Sequence, residues 1–109
     1  MIIFIAVPSA GVVKNGKLRA KFLKRVAELQ LAHPNKTFVV PMIQDYALLK
    51  YMPGVDATWE KWGHHCLRLI EASDEVWVIM YKGWADSTGV RGEMKQAYTL
   101  DKPTSYLEP

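Results

Sequence analysis

A chain of 109 residues, half of them hydrophobic and 23% charged, can bury one core, so a single domain over 1–109 is expected and disorder is excluded. The net charge of +3 is mild, and the basic positions Lys14, Lys17, Arg19, Lys21, Lys24, Arg25 and Lys36 read as a solvated face without a stacking platform for nucleic acid. One cysteine, Cys66, allows no intramolecular disulfide and points to a reducing, cytoplasmic setting.

Ile2 to Val7 is a continuous apolar run that suits a strand covered on both faces. No basic residue precedes it, and it is too short for a signal peptide or a membrane span. Pro8-Ser9-Ala10-Gly11 predicts a turn. From Lys17 to Ala32 the residues Leu18, Phe22, Val26 and Leu29 recur at helical spacing, which predicts an amphipathic helix stopped by His33-Pro34-Asn35. Thr37 to Val40 predicts a second strand, closed by Pro41. Gln44 to Met52 predicts a short helix with Ala47, Leu48 and Tyr51 on one side, broken by Pro53-Gly54. Asp56 or Thr58 can cap the next helix, which runs to Ala72 and turns Trp59, Trp62, Cys66, Leu69 and Ile70 inward. Glu75 to Tyr81 is a strand, followed by a glycine-punctuated loop. Arg91 to Leu100 predicts a helix with Glu93 in its first turn, and Pro103 to Leu107 a last strand.

Strands alternating with helices predict a three-layer α/β fold of flavodoxin- or Rossmann-like type. Its parallel sheet has four to five strands and helices on both faces. Ligands of such sheets sit beyond the carboxyl ends of the strands, which singles out the loops 8–14, 42–45 and 82–92. Ala10-Gly11-Val12-Val13 lacks the further glycines of a dinucleotide fingerprint, and no Gly-Lys-Ser/Thr follows Gly89-Val90-Arg91-Gly92. No cofactor is expected. Nor is a metal: successive residues of His64-His65-Cys66 on a helix point about 100° apart and cannot converge on one ion.

The last third of the chain carries a more specific pattern. Asp74 ends a helix, an apolar strand follows, and then come Gly83-Trp84, Ser87, Gly89-Val90, Glu93, Ala97 and Lys102-Pro103 ahead of the final strand. In order and spacing these residues resemble the nucleoside 2-deoxyribosyltransferase-like superfamily, above all its small bacterial and phage members. Pro8 and Trp62 extend the likeness over most of the chain.

The resemblance implies that Glu93 is a nucleophile. Its carboxylate would attack the anomeric carbon of a nucleoside or nucleotide, expel the base and form a glycosyl ester that water or a second base resolves. A first-turn position, with free N–H groups and the helix dipole, is expected to keep Glu93 ionised. Asp86 is the candidate second carboxylate, or else a turn-forming residue. Ser87, Thr88, Gly89 and Arg91 could cradle a 5′-phosphate, unless Arg91 pairs on the surface. Ser9, beside Pro8, is a candidate sugar contact, and Gly83 lets the loop approach the ligand. Trp84 either stacks on a base or packs on the fold. Relatives are often dimers or larger, so a homodimer or higher homo-oligomer is expected, with Tyr46, Tyr51 or Trp59 completing a neighbour's pocket. The implied partner is a small-molecule nucleoside or nucleotide; no membrane and no nucleic acid is expected.

Two positions depart from the pattern. Phe4 keeps the ring of a first-strand tyrosine without its hydroxyl. Cys66 stands where relatives carry an aspartate that handles the base or sugar, and a thiol is no substitute as a charged acceptor. Either His65 takes over, or the base leaves unaided, or the protein captures a nucleotide without cleaving it. A structural or DNA-associated role is the third reading.

Overall fold

The computed structural model describes residues 1–49, 51–52 and 59–109. The expected helix break at Pro53-Gly54 and the caps at Asp56 or Thr58 lie outside the described residues. In chain order the elements are β1 (Ile2–Ala6), a helical turn α1 (Ser9–Val12), β2 (Val13–Lys14), β3 (Lys17–Leu18), α2 (Ala20–Ala32) and β4 (Thr37–Val39). There follow the short α3 (Pro41–Gln44) and α4 (Tyr46–Leu49), then α5 (Trp59–Glu71), β5 (Glu75–Ile79), a single 3₁₀ turn (Trp84–Asp86), α6 (Thr88–Thr99) and β6 (Thr104–Leu107).

β4, β1, β5 and β6 form one parallel sheet in that order. Its two faces follow from the period-2 alternation of strand side chains. Ile3, Ile5, Trp77 and Ile79 point to one face, where Phe22 and Leu29 of α2 cover them. Phe4, Ala6, Val76 and Val78 point to the other and meet Cys66 and Ile70 of α5 and Val90 and Ala97 of α6. Helices therefore cover both faces of a three-layer, Rossmann-like α/β sandwich, and the near-unbroken apolar runs of β1 and β5 reflect burial on both sides. Among the described residues no helix is long and apolar enough to cross a membrane.

Asp74 and Lys102 turn out to be joints of this scaffold. The Asp74 carboxylate accepts the Ile2 N–H at 2.6 Å, while its own N–H donates to the Ile2 carbonyl at 2.7 Å, tying β5's approach to the start of β1. Lys102 donates from Nζ to the carbonyls of Ser73 (2.7 Å) and Glu71 (3.1 Å), satisfying orphan acceptors at the end of α5.

Three expected elements differ. Lys17–Arg19 do not begin the second helix, which starts at Ala20. Val13–Lys14 and Lys17–Leu18 pair antiparallel around Asn15 (φ 54°) and Gly16 (φ 74°), the two left-handed residues of a type I′ hairpin turn. Asn-Gly flanked by short extended pairs signals that turn, and it overrides the helical spacing that Leu18 seemed to start. The helix expected over Gln44–Met52 is replaced by α3 and α4, separated at Asp45, and Leu48 and Tyr51 are exposed rather than forming a packed side. The last helix begins at Thr88, not Arg91, because Ser87 caps it: the Val90 N–H donates to Ser87 Oγ at 3.3 Å.

Candidate active site

In a parallel sheet of this order the chain leaves β1 toward one side and β5 toward the other, opening a crevice beyond their carboxyl ends. A cavity of about 830 Å³ lies there, within the roughly 300–1,000 Å³ of small-molecule sites. All three loops singled out by the sequence contribute to it. Pro8 and Ser9 follow β1, Pro41 and Met42 follow β4, and Lys82, Gly83, Asp86, Ser87, Thr88 and Gly89 follow β5. Tyr46, Trp59 and Trp62 supply aromatic surface, and Cys66 and Glu93 complete the lining with apolar Ile5 and Val7.

Glu93 is the one strongly perturbed acid of the site. The helix start at Thr88 puts it in the second turn of α6, on the face shared with Val90 and Ala97, so it turns inward and is only 7% exposed. It does not enjoy the free N–H groups of a first turn, and the expectation of a dipole-stabilised, ionised carboxylate is reversed. Burial pushes its pKa up to about 8 from an ordinary 4.5, with a hydrogen bond from the Cys66 thiol pulling the other way. Burial first, and then the neighbouring Glu93 and Asp45 carboxylates, push the thiol well above its own ordinary value, so Cys66 is a proton donor and not a thiolate nucleophile.

The wall formed by Trp59 depends on close approaches at Gly63 and Gly92. The Trp59 indole lies against Gly92 of α6, where a β-carbon would fall inside 3.0 Å of three ring atoms. Glycine at 92 thus lets α5 and α6 clamp the ring beside the cavity.

At the mouth, Lys82, Asp86 and Glu60 are exposed rim charges. The Asp86 carboxylate has no side-chain partner among the described residues. Ser87, Thr88 and Gly89 present the beginning of α6, whose first N–H groups have no helical partner.

Three expected site residues do not line the cavity. His65 Nε2 pairs with Asp45 Oδ2 at 3.0 Å, and the ring packs tilted against Trp62 with centroids 4.7 Å apart. It fastens the α3–α4 segment to α5 and takes no place beside Glu93. Trp84 packs on the fold with its ring 5.7 Å from Tyr106. Arg91 is exposed on the outer side of α6. Conversely, Tyr46 and Trp59 line the cavity of their own chain, and Met42, Lys82 and Glu60 join them. Tyr46 and Met42 are aligned by turns too short to show periodicity, whereas Trp59 follows from its i+3 and i+7 spacing to Trp62 and Cys66. Among the described residues no group of three or more His, Cys, Asp or Glu side chains is placed to hold a metal ion.

The family model that matches this chain is that of a domain of unknown function, DUF1937, over residues 2–108. No curated protein and no solved structure matches.

Proposed function

The chain belongs to the DUF1937 family, and from its site we propose that the cavity takes a nucleoside or nucleotide and that Glu93 cleaves its N-glycosidic bond. The observation that carries this reading is a carboxyl group 93% buried yet lining a ligand-sized, aromatic-walled cavity at the sheet's switch point. A fold has little reason to bury an acid whose hydrogen-bond partner among the described residues is a thiol, unless something cationic is to meet it.

In the proposed reaction a Glu93 oxygen attacks the anomeric carbon as the carbon–nitrogen bond breaks. The bonding pair leaves with the base, which takes a proton from solvent. Water then opens the glycosyl ester at the same carbon and returns the carboxylate. Trp59, Trp62 and Tyr46 offer flat apolar surface to a base, and Ser9 and Asp86 offer polar contacts to sugar hydroxyls. Thr88, Gly89 and Lys82 form the side best suited to a 5′-phosphate. With its pKa near 8, Glu93 is ionised in roughly a tenth of molecules at neutral pH. kcat/KM therefore rises with pH up to about 8. Assembly into a homodimer or larger homo-oligomer belongs to the same reading, with light scattering as its check.

One observation favours a second reading. A carboxyl that is mostly protonated and hydrogen-bonded to a thiol suits capture of a nucleotide by hydrogen bonding without cleavage. Incubation with mixed nucleosides and nucleotides, read by mass spectrometry for wild type and Glu93→Gln, separates the two. Free base from wild type alone supports cleavage. A nucleotide retained through buffer exchange without base release supports capture, and the absence of both release and retention sinks both readings.

A further inference from the structure

The hairpin missed by the helical reading carries an arrangement of charge that the fold itself does not favour. Residues 14–25 hold six cations, Lys14, Lys17, Arg19, Lys21, Lys24 and Arg25, and no acid. Set against the whole chain's +3, they leave all other residues at a net −3. Arg25 is occupied, with Nε on the Glu108 carbonyl at 3.1 Å and Glu28 at 3.7 Å. The other five have no acidic partner among the described residues.

Their positions are locally unfavourable. Lys14 and Lys17 are directly paired across the two strands, where like charges repel. Arg19 is the N-cap of α2 with no side-chain cap bond, Lys21 is in its first turn, and no acid is there to balance the helix dipole. A sequence that breaks local rules together at one place usually does so for a ligand. The cations also surround a concavity lined by Lys14, Asn15, Lys17, Arg19 and Lys21. The hairpin follows β1 and α1 directly, so it leaves the sheet at the carboxyl end, where the cavity opens and where Pro8 and Ser9 line it.

We propose that the β2–β3 hairpin and the start of α2 form a docking surface for the phosphate backbone of nucleic acid, beside the mouth of the cavity. Phosphates would relieve the Lys14–Lys17 repulsion and meet the free N–H groups of α2. The contact is to backbone and not to bases, because Phe22, the aromatic residue of this segment, is fully buried. A membrane is disfavoured, since Leu18 is half-buried and Leu23, 41% exposed, is a single side chain and no apolar face to insert. The choice of nucleic acid over an acidic protein rests on the nucleoside reading of the cavity.

The test is fluorescence anisotropy of a short labelled DNA duplex of random sequence, titrated at several salt concentrations against the full chain. Wild type is expected to bind with log K falling against log salt at a slope of about −3 or steeper, at roughly −0.9 per phosphate engaged. Lys14→Gln/Lys17→Gln/Lys21→Gln is expected to bind at least about tenfold more weakly at low salt and to flatten the slope. Its Tm should be no lower than that of wild type, since the changes are exposed and remove a repulsion. Glu93→Gln is expected to bind as wild type does. Duplex binding that the triple variant retains overturns the proposal. So does the absence of duplex binding, or displacement of the duplex by polyglutamate at equal charge, or association with anionic vesicles in place of DNA. Base release from free nucleotides is read separately, so failure of the cavity reading leaves DNA binding intact, and the reverse.

Discussion

Glu93→Gln should make the protein's stability less dependent on pH, and the size of the effect follows from burial. A carboxyl whose pKa is about 8 when folded and 4.5 otherwise holds its proton more tightly in the native state. Below about pH 4.5 both states are protonated and the site costs nothing. Between there and about 8 the unfolded chain gives up the proton that the fold retains, so stability falls as pH rises. Above about 8 the native state carries the full cost of a buried anion, roughly 5 kcal/mol for that displacement. Water entering the open cavity trims this figure, and a loss of at least about 2 kcal/mol is expected. Glutamine has nearly the same volume and does not ionise, so its variant lacks this slope. Urea denaturation of both proteins in steps from about pH 5 to about pH 9 measures it, the difference between them cancelling every other titrating group. A difference that stays constant across the range would refute the reasoning, because Glu93 would then be ionised throughout.

In the same series Cys66→Ala should extend the fall to higher pH without moving its onset, since the thiol's hydrogen bond lowers the folded-state Glu93 pKa, and Cys66→Ser should restore it. Gly92→Ala drives a methyl into the Trp59 indole and should cost about 1–3 kcal/mol in urea denaturation, with weaker nucleotide binding by calorimetry. Lys102→Met leaves the carbonyls of Glu71 and Ser73 without their charged donor, and a loss of about 1.5–3 kcal/mol is expected by the same method, with base release unchanged.

The α/β order was legible because β1 and β5 are apolar on alternate faces as well as in total, and because Phe22 and Leu29 repeat at helical spacing on α2. The hairpin was not, since its strands are two residues each and the lysines beside Asn15-Gly16 look like the polar side of a helix. Helix start decides everything about Glu93. A helix beginning at Arg91 would expose it to the dipole; one capped by Ser87 puts it in register with Val90 and Ala97, an acid on the buried stripe. That spacing was readable once the cap was recognised. His65 could not have been assigned from sequence, because Asp45, which holds it, is twenty residues away and only the fold brings them together.

Burying Glu93 weakens the fold at the place where the proposed chemistry needs strength. Attraction between a carboxylate and a sugar that turns cationic as its base departs is small in water and much larger where water is largely displaced by Trp59, Trp62 and the ligand itself. The same surroundings keep Glu93 mostly neutral, since an unpaired anion there is costly. A cationic centre at contact distance removes that cost and lowers the pKa, so ionisation of Glu93 and charge development on the sugar favour each other. The Cys66 thiol suits this exchange better than a second carboxylate would, because it donates to Glu93 without adding a repelling charge. Under the proposed reading, a thiol at position 66 in place of an aspartate tunes Glu93 and does not by itself remove its proposed role.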